Sequence, residues 1–183
     1  MSRFVANLLD MTRIEAGSLK PKQDWVDVAD VVHSTVERTR KYAPSRKVET
    51  KVASDLALIR GDSVLLGQVL FNLLDNAIKY TPSGGAIMLR ARRRSSGELE
   101  FSITDTGPGV PPELLDKIFE PFFTTKDVGQ GTGLGLPVVL GIVQAHGGAI
   151  DVCSAPARGT TFSLYFAGTA QAAVTNADKP VTI

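Results

Sequence analysis

Phe4, Val5, Leu8, Met11 and Ile14 recur at helical spacing and predict an amphipathic helix over residues 2–16, closed by Gly17. Residues 17–21, rich in breakers, read as a linker. A second helix follows, capped by Asp27 or Asp30 and carrying Val31, Val32 and Val36 to a charged end at Arg40 and Lys41. Residues 48–52 alternate apolar and polar positions like a strand, and residues 56–59 read as its short partner. Asp62 caps the strongest helix of the chain, residues 63–80, which Pro82 and the Gly84-Gly85 pair close. Residues 87–93 and 99–104 read as a hairpin around Ser95, Ser96 and Gly97. A glycine- and proline-rich stretch over 106–132 leads to a last helix, residues 133–146, and two strands, 149–154 and 160–166. The tail beyond Gly168 is small and polar and is expected to be disordered. Strands and helices mix without regular β-α-β alternation, which predicts one mixed sheet with its helices on a single face.

Composition narrows the class. The 183 residues are 43% apolar and 21% charged, the profile of a soluble globular chain with room for one domain and a short appendage. A formal charge of +1 points to no nucleic-acid partner and no membrane surface. No run approaches the roughly 18 apolar residues of a membrane span, so no direct membrane insertion is expected. The single cysteine, Cys153, forms no internal disulfide, which suits a reducing compartment, and its apolar strand places it in the core. Trp25 is expected to bury itself and anchor the linker. Arg90, Arg92, Arg93 and Arg94 read as a solvated strand end.

The candidate chemistry lies in three places. On the helix over 63–80, Gln68, Asn72, Asp75, Asn76 and Lys79 fall at spacings of three and four and form one polar stripe. Alone, such a stripe is the solvent side of an amphipathic helix; between so many apolar residues it also suits the wall of a cleft. Its asparagine amide oxygens are able to ligate Mg²⁺, an ion that takes a few protein oxygens while phosphates and water complete its shell. Asp105, Thr106, Gly107, Pro108 and Gly109 follow a strand directly; this is either a plain turn or a place where backbone approaches a flat ligand and the aspartate accepts from an exocyclic amine. Gly129 to Leu136 carries glycines at 129, 131, 133 and 135 and opens a helix, so free N–H groups there can hold phosphate. It is neither a Walker loop nor a dinucleotide fingerprint. Between the glycine clusters, Phe119 to Lys126 reads as a lid whose phenylalanines pin its root while Lys126 reaches a terminal phosphate.

Together these pieces resemble the histidine kinase branch of the GHKL ATPase superfamily. The N box corresponds to Asn72 through Tyr80, the first glycine box to Asp105 through Gly109, and the F box to Phe119 through Phe123. The second glycine box corresponds to Gly131 through Gly135, and Gly159, Thr160 and Thr161 to a final nucleotide-touching strand. Ser2 through Gly17, with its run from Leu8 to Gly17, is similar to the end of the second helix of the dimerisation and phosphotransfer hairpin. The resemblance implies a two-layer α/β (α+β) sandwich with ATP between helices and lid. It implies Asn76, helped by Asn72, as Mg²⁺ ligands, Lys79 and Lys126 at phosphates, and Tyr80 against the nucleotide. Asp105 would bind the adenine amino group, with water shared by Thr160 or Thr161, next to Gly107 and Gly109. Gly131, Thr132, Gly133, Leu134 and Gly135 would close over the triphosphate.

The implied organisation is a remnant hairpin helix over 1–20, a catalytic domain over 21–167 and a tail over 168–183. The phosphoacceptor histidine of such kinases is expected to be absent: His33 and His146 read as surface or capping residues. Pro137, in place of a small residue, falls in the first turn of a helix and is harmless. The expected function is binding of Mg-ATP and donation of its γ-phosphoryl group to a histidine on a separate phosphoacceptor domain, then to a response regulator, in the cytoplasm. The alternatives are an ATPase machine of the gyrase, mismatch-repair or chaperone kind, and a degenerate docking module. The apolar stripe of the opening helix is expected to pair with a second copy.

Overall fold

The computed structural model describes residues 3–56, 58–125 and 131–168. Its elements run α1 (Arg3–Glu15), β1 (Asp24–Val26), α2 (Val28–Tyr42), β2 (Val48–Val52), β3 (Ile59–Gly61), α3 (Ser63–Tyr80), β4 (Ile87–Arg93), β5 (Leu99–Asp105), a 3-10 turn (Pro112–Leu114), α4 (Gly135–Ala145), β6 (Ala149–Ser154) and β7 (Thr160–Phe166).

Local chemistry sets most of these bounds. Asp27 accepts hydrogen bonds from the N–H groups of Ala29 (2.8 Å) and Asp30 (3.4 Å), which selects it over Asp30 as the cap of α2. Asp62 does the same for Val64 and Leu65 at 3.0 and 3.2 Å, starting α3. Gly17, at φ +61°, turns the chain out of α1. The helix expected from residue 133 begins two residues later, because Gly133 adopts the left-handed φ of +63°.

Five strands form one mixed sheet in the order β2-β4-β5-β7-β6, with β2 parallel to β4 and every other pair antiparallel. Period-2 alternation gives the sheet two faces. Leu89, Phe101, Ile103, Phe162 and Leu164 point inward beneath α3 and α4, while Arg90, Ser102, Thr161 and Ser163 lie on the other face. Leu70, Leu73 and Leu74 of α3 are at most 1% exposed, and each contributes about 1.5–3 kcal/mol by leaving water. The architecture is the expected two-layer sandwich.

The structure corrects several expectations. Residues 56–59 do not partner β2, whose neighbour is β4; β3 pairs instead with β1, in a register that sets Trp25 opposite Arg60. Trp25 is 45% exposed, and its ring carries the Arg60 guanidinium at 4.3 Å, so stacking and strand pairing hold it rather than burial. Cys153 is exposed, because β6 is an edge strand that turns Ile150 and Val152 inward and its odd-numbered residues outward. The stripe of α1 expected to await a second copy is partly covered within the chain, with Leu8, Met11 and Ile14 packed on the core beside α4; Val5 and Leu9 stay exposed. The basic cluster is solvated but paired, Arg92 with Glu100 and Arg94 with Glu98. The expectation for the tail beyond Gly168 lies outside the described residues.

Candidate nucleotide site

One cavity of about 430 Å³ opens between α3, the chain after β5 and the start of α4, a size that suits a small organic ligand. Four residues of the α3 stripe face it: Asn72, Asp75, Asn76 and Lys79 line its wall together with Tyr80, whereas Gln68 does not and donates to Asp10 instead. Asn72 is 5% exposed, and its buried Nδ2 has no hydrogen-bond partner among the described residues. A buried amide donor without a partner costs about 1–3 kcal/mol. Lys79 Nζ lies 2.6 Å from Asp75 Oδ2, which holds the ammonium at the cavity wall. Burial pushes the Tyr80 hydroxyl above its usual range, a shift opposed by a hydrogen bond with Thr125.

At the end of β5, Asp105 is 7% exposed and accepts the Gly107 N–H at 2.8 Å. Burial raises its pKa from the ordinary 3.8, while the hydrogen bonds from Gly107 and Thr160 N–H groups pull it down. Thr160, its partner on β7, lines the cavity and shares a 2.9 Å hydrogen bond with Ser154 Oγ. Ser154 also accepts the Val110 N–H at 2.8 Å, so one hydroxyl cluster ties the first residues after Gly109 to the sheet. Thr161 goes the other way. It pairs with Thr104 at 3.0 Å on the outer face, and strand alternation keeps it out of the cavity.

The glycines turn out to serve the chain's own crossings. A Cβ on Gly109, at φ +74°, would lie 2.7 Å from the Ala155 carbonyl carbon, and one on Gly133 would lie 2.6 Å from Phe122 Cα. Phe122 N–H donates to the Gly133 carbonyl at 3.0 Å, which docks the F-box segment on the second glycine box. Gly107 packs against Asp105 and Tyr80 beside the cavity rather than on its wall. Leu134 is fully buried in the core, not directed at a ligand. Gly109, Gly131, Thr132, Gly133 and Gly135 all line the cavity, and a Cβ on Gly135 would meet nothing within 4 Å, so ligand atoms can approach α4's free N–H groups there. Lys126 lies outside the described residues. Of the F-box rings, Phe119 packs on the core, Phe123 lines the cavity, and Phe122 is 63% exposed.

Asn7 of α1 also lines the cavity, which no periodicity in the sequence signalled. Among the described residues, no group of three or more His, Cys, Asp or Glu side chains is placed to hold a metal. A divalent ion at this site would rely on amide oxygens and on the ligand's own phosphates. His146 is the cap of α4: its Nε2 accepts the Asp62 N–H at 3.1 Å, and Nδ1 then donates to the Ile142 carbonyl at 2.8 Å. His33 is exposed.

Comparison with known proteins agrees with this geometry. Residues 61–169 match the family described as histidine kinase-, DNA gyrase B-, and HSP90-like ATPase. The chain is 37% identical over 88% of its length to the sensor protein KdpD of Clostridium acetobutylicum, covering 18% of that protein. It is 39% identical over 88% of its length to the adaptive-response sensory kinase SasA of Synechococcus elongatus, covering 43%. It thus spans less than half of each of these relatives. Among solved structures, the mycobacterial sensor histidine kinase MprB superposes with a TM-score of 0.70 at 35% identity, over 79% of this chain and 96% of that one. Full-length ShkA in complex with AMPPNP superposes with a TM-score of 0.80 at 32% identity, over 93% of this chain and 36% of that one. The chain belongs to the histidine kinase-, DNA gyrase B-, and HSP90-like ATPase family, as a domain of the sensor-histidine-kinase type.

Proposed function

We propose that this chain is the catalytic part of a sensor histidine kinase: it positions Mg-ATP so that the γ-phosphoryl group passes to a histidine nitrogen on a phosphoacceptor domain, and from there to a response regulator. The observation that carries the reading is the polarity of one cavity. One wall carries a buried carboxylate, Asp105, together with amides, an ammonium and an open helix start.

Each residue then has a task set by its chemistry. Asp105 accepts from the adenine amino group, with Thr160 rather than Thr161 holding an intervening water. Tyr80 packs against the nucleotide. Asn76 and Asn72 offer amide oxygens to Mg²⁺, which when bound would offset phosphate charge. Lys79, kept at the wall by Asp75, neutralises a phosphate oxygen, and the N–H groups around Gly131 to Gly135 take others. A bond between the γ-phosphorus and the ADP oxygen breaks as a nitrogen–phosphorus bond forms, and the protein contributes positioning and charge neutralisation. Lys126 joins as a further phosphate contact. Residues 21–167 make up this catalytic unit, and residues 1–20 belong to the second helix of the phosphotransfer hairpin. No helix among the described residues is long and apolar enough to cross a membrane, and a cytoplasmic location fits ATP as donor.

Calorimetric titration with ADP and a non-hydrolysable ATP analogue, with and without Mg²⁺, tests the reading. Binding strengthened by Mg²⁺ is expected, and absence of binding by the folded chain would refute it.

A further inference from the structure

α1 precedes the matched ATPase region, residues 61–169, yet it is fastened to the cavity wall along one face. Asn7, Asp10, Met11 and Ile14 follow the i, i+3, i+4, i+7 spacing of neighbours on a helix. Ile14 fills the notch left by Gly141 of α4, where a Cβ would stand 2.6 Å from two of its side-chain carbons. Met11 is 9% exposed and joins the core. Asp10 Oδ2 accepts a hydrogen bond from Gln68 Nε2 of α3 at 2.7 Å. Asn7, only 6% exposed, is part of the cavity wall itself.

These contacts also say which end of the cavity Asn7 serves. Passing from Ile14 back to Asn7 moves from Gly141 towards Gly135 along α4, and from Gln68 towards Asn72 and Asn76 along α3. Asp105 lies elsewhere, beside Gly107, which packs under the Tyr80 carbonyl at the far end of α3. Asn7 therefore joins the phosphate end. The same wall carries Asn72, whose buried Nδ2 has no partner among the described residues. Amide donors brought together from different helices suit a poly-anion, whose oxygens satisfy them at once.

We propose that α1 is a detachable wall of the nucleotide site and that Asn7 is a binding residue for the phosphate end of the nucleotide, so that α1 docking and nucleotide occupancy stabilise each other. This rests on the nucleotide reading of the cavity. The coupling is reciprocal by thermodynamic necessity: whatever draws α1 away from α4 weakens nucleotide binding, and bound nucleotide holds α1 down by the same factor. The site thus reports on the docking of the first helix.

The test uses the full chain and Mg-ADP, with affinity read by calorimetry and α1 docking read by amide hydrogen exchange. Asn7→Ala is expected to weaken Mg-ADP about tenfold, the loss of a hydrogen bond to a charged group. Gly141→Val, which drives a side chain into Ile14, is expected to speed exchange across α1 and weaken Mg-ADP to a similar degree. Gln68→Ala removes only the Asp10 hydrogen bond, and gives the same comparison if Gly141→Val does not fold. In the unmutated chain, Mg-ADP slows α1 exchange. If that chain binds Mg-ADP while the variants bind within twofold of it and α1 exchange ignores the nucleotide, the wall is refuted and the site stands. Tighter binding by Gly141→Val also refutes it, since α1 would then obstruct the cavity. If the unmutated chain binds no nucleotide, both readings fall.

Discussion

Replacing Asp105 by asparagine changes a single oxygen to an NH₂ group and probes the adenine end of the site. The carboxylate accepts N–H groups from Gly107, at 2.8 Å, and from Thr160. Asparagine keeps one acceptor, which the Gly107 bond uses, and turns a donor towards Thr160 and towards the place of the adenine amine. Two donors then face each other, a cost of about 1–3 kcal/mol in buried surroundings, and a charge-assisted bond to the base, worth about 1.5–3 kcal/mol, is lost. Nucleotide affinity should therefore fall by at least about tenfold. Stability should fall less, because asparagine also escapes the desolvation that raises the Asp105 pKa. The sign follows from that shift. Burial disfavours the ionised form, so Asp105 is least costly to the fold below its ordinary pKa of 3.8, and its contribution declines as pH rises through the higher folded value. The variant should lack this decline. Calorimetric titration of ADP, paired with urea unfolding at pH 4 to 7, measures both. Affinity within twofold of the unmutated chain would refute the assignment, and an unchanged pH slope would refute the linkage.

Other substitutions test the remaining geometry. Gly109→Ala must hold a left-handed φ and place its methyl against the Ala155 carbonyl, so it should cost at least about 2 kcal/mol, read by thermal unfolding. Thr160→Val breaks the hydroxyl cluster with Ser154 at the cavity and should weaken ADP several-fold, whereas Thr161→Val, on the outer face, should leave titration unchanged. His146→Ala strands the Asp62 N–H and removes the side-chain bond to the Ile142 carbonyl, which keeps the backbone N–H of residue 146, and should lower stability by about 1–2 kcal/mol in urea without altering nucleotide affinity.

Most of the sandwich was legible because its elements combine strong periodicity with strong ends. α3 carries an aspartate cap, a broad apolar face and a closing proline, and its bounds match the expected ones. The β1–β3 pair was not legible, since three-residue strands hold too little alternation and their partners are distant in sequence. Cys153 was misplaced although a signal existed, and the same signal separates Thr160 from Thr161: on β6 and β7 the period of two sets Cys153 and Thr161 on the face opposite their apolar neighbours. The glycine clusters stand out in the sequence, but Gly109 and Gly133 answer to crossings with Ala155 and Phe122, which only the folded chain brings together. Asn7 carried no local signal at all. Its role follows from how α1 lies against α3 and α4, a tertiary fact.

Phosphoryl transfer from γ-³²P-labelled ATP to a separately supplied phosphoacceptor hairpin tests the kinase reading most directly. Label that appears on the hairpin only when this chain is present, stable to base and labile to acid, is the predicted result. Steady release of inorganic phosphate with no label on the hairpin would contradict it and place the chain among the free-running ATPases instead.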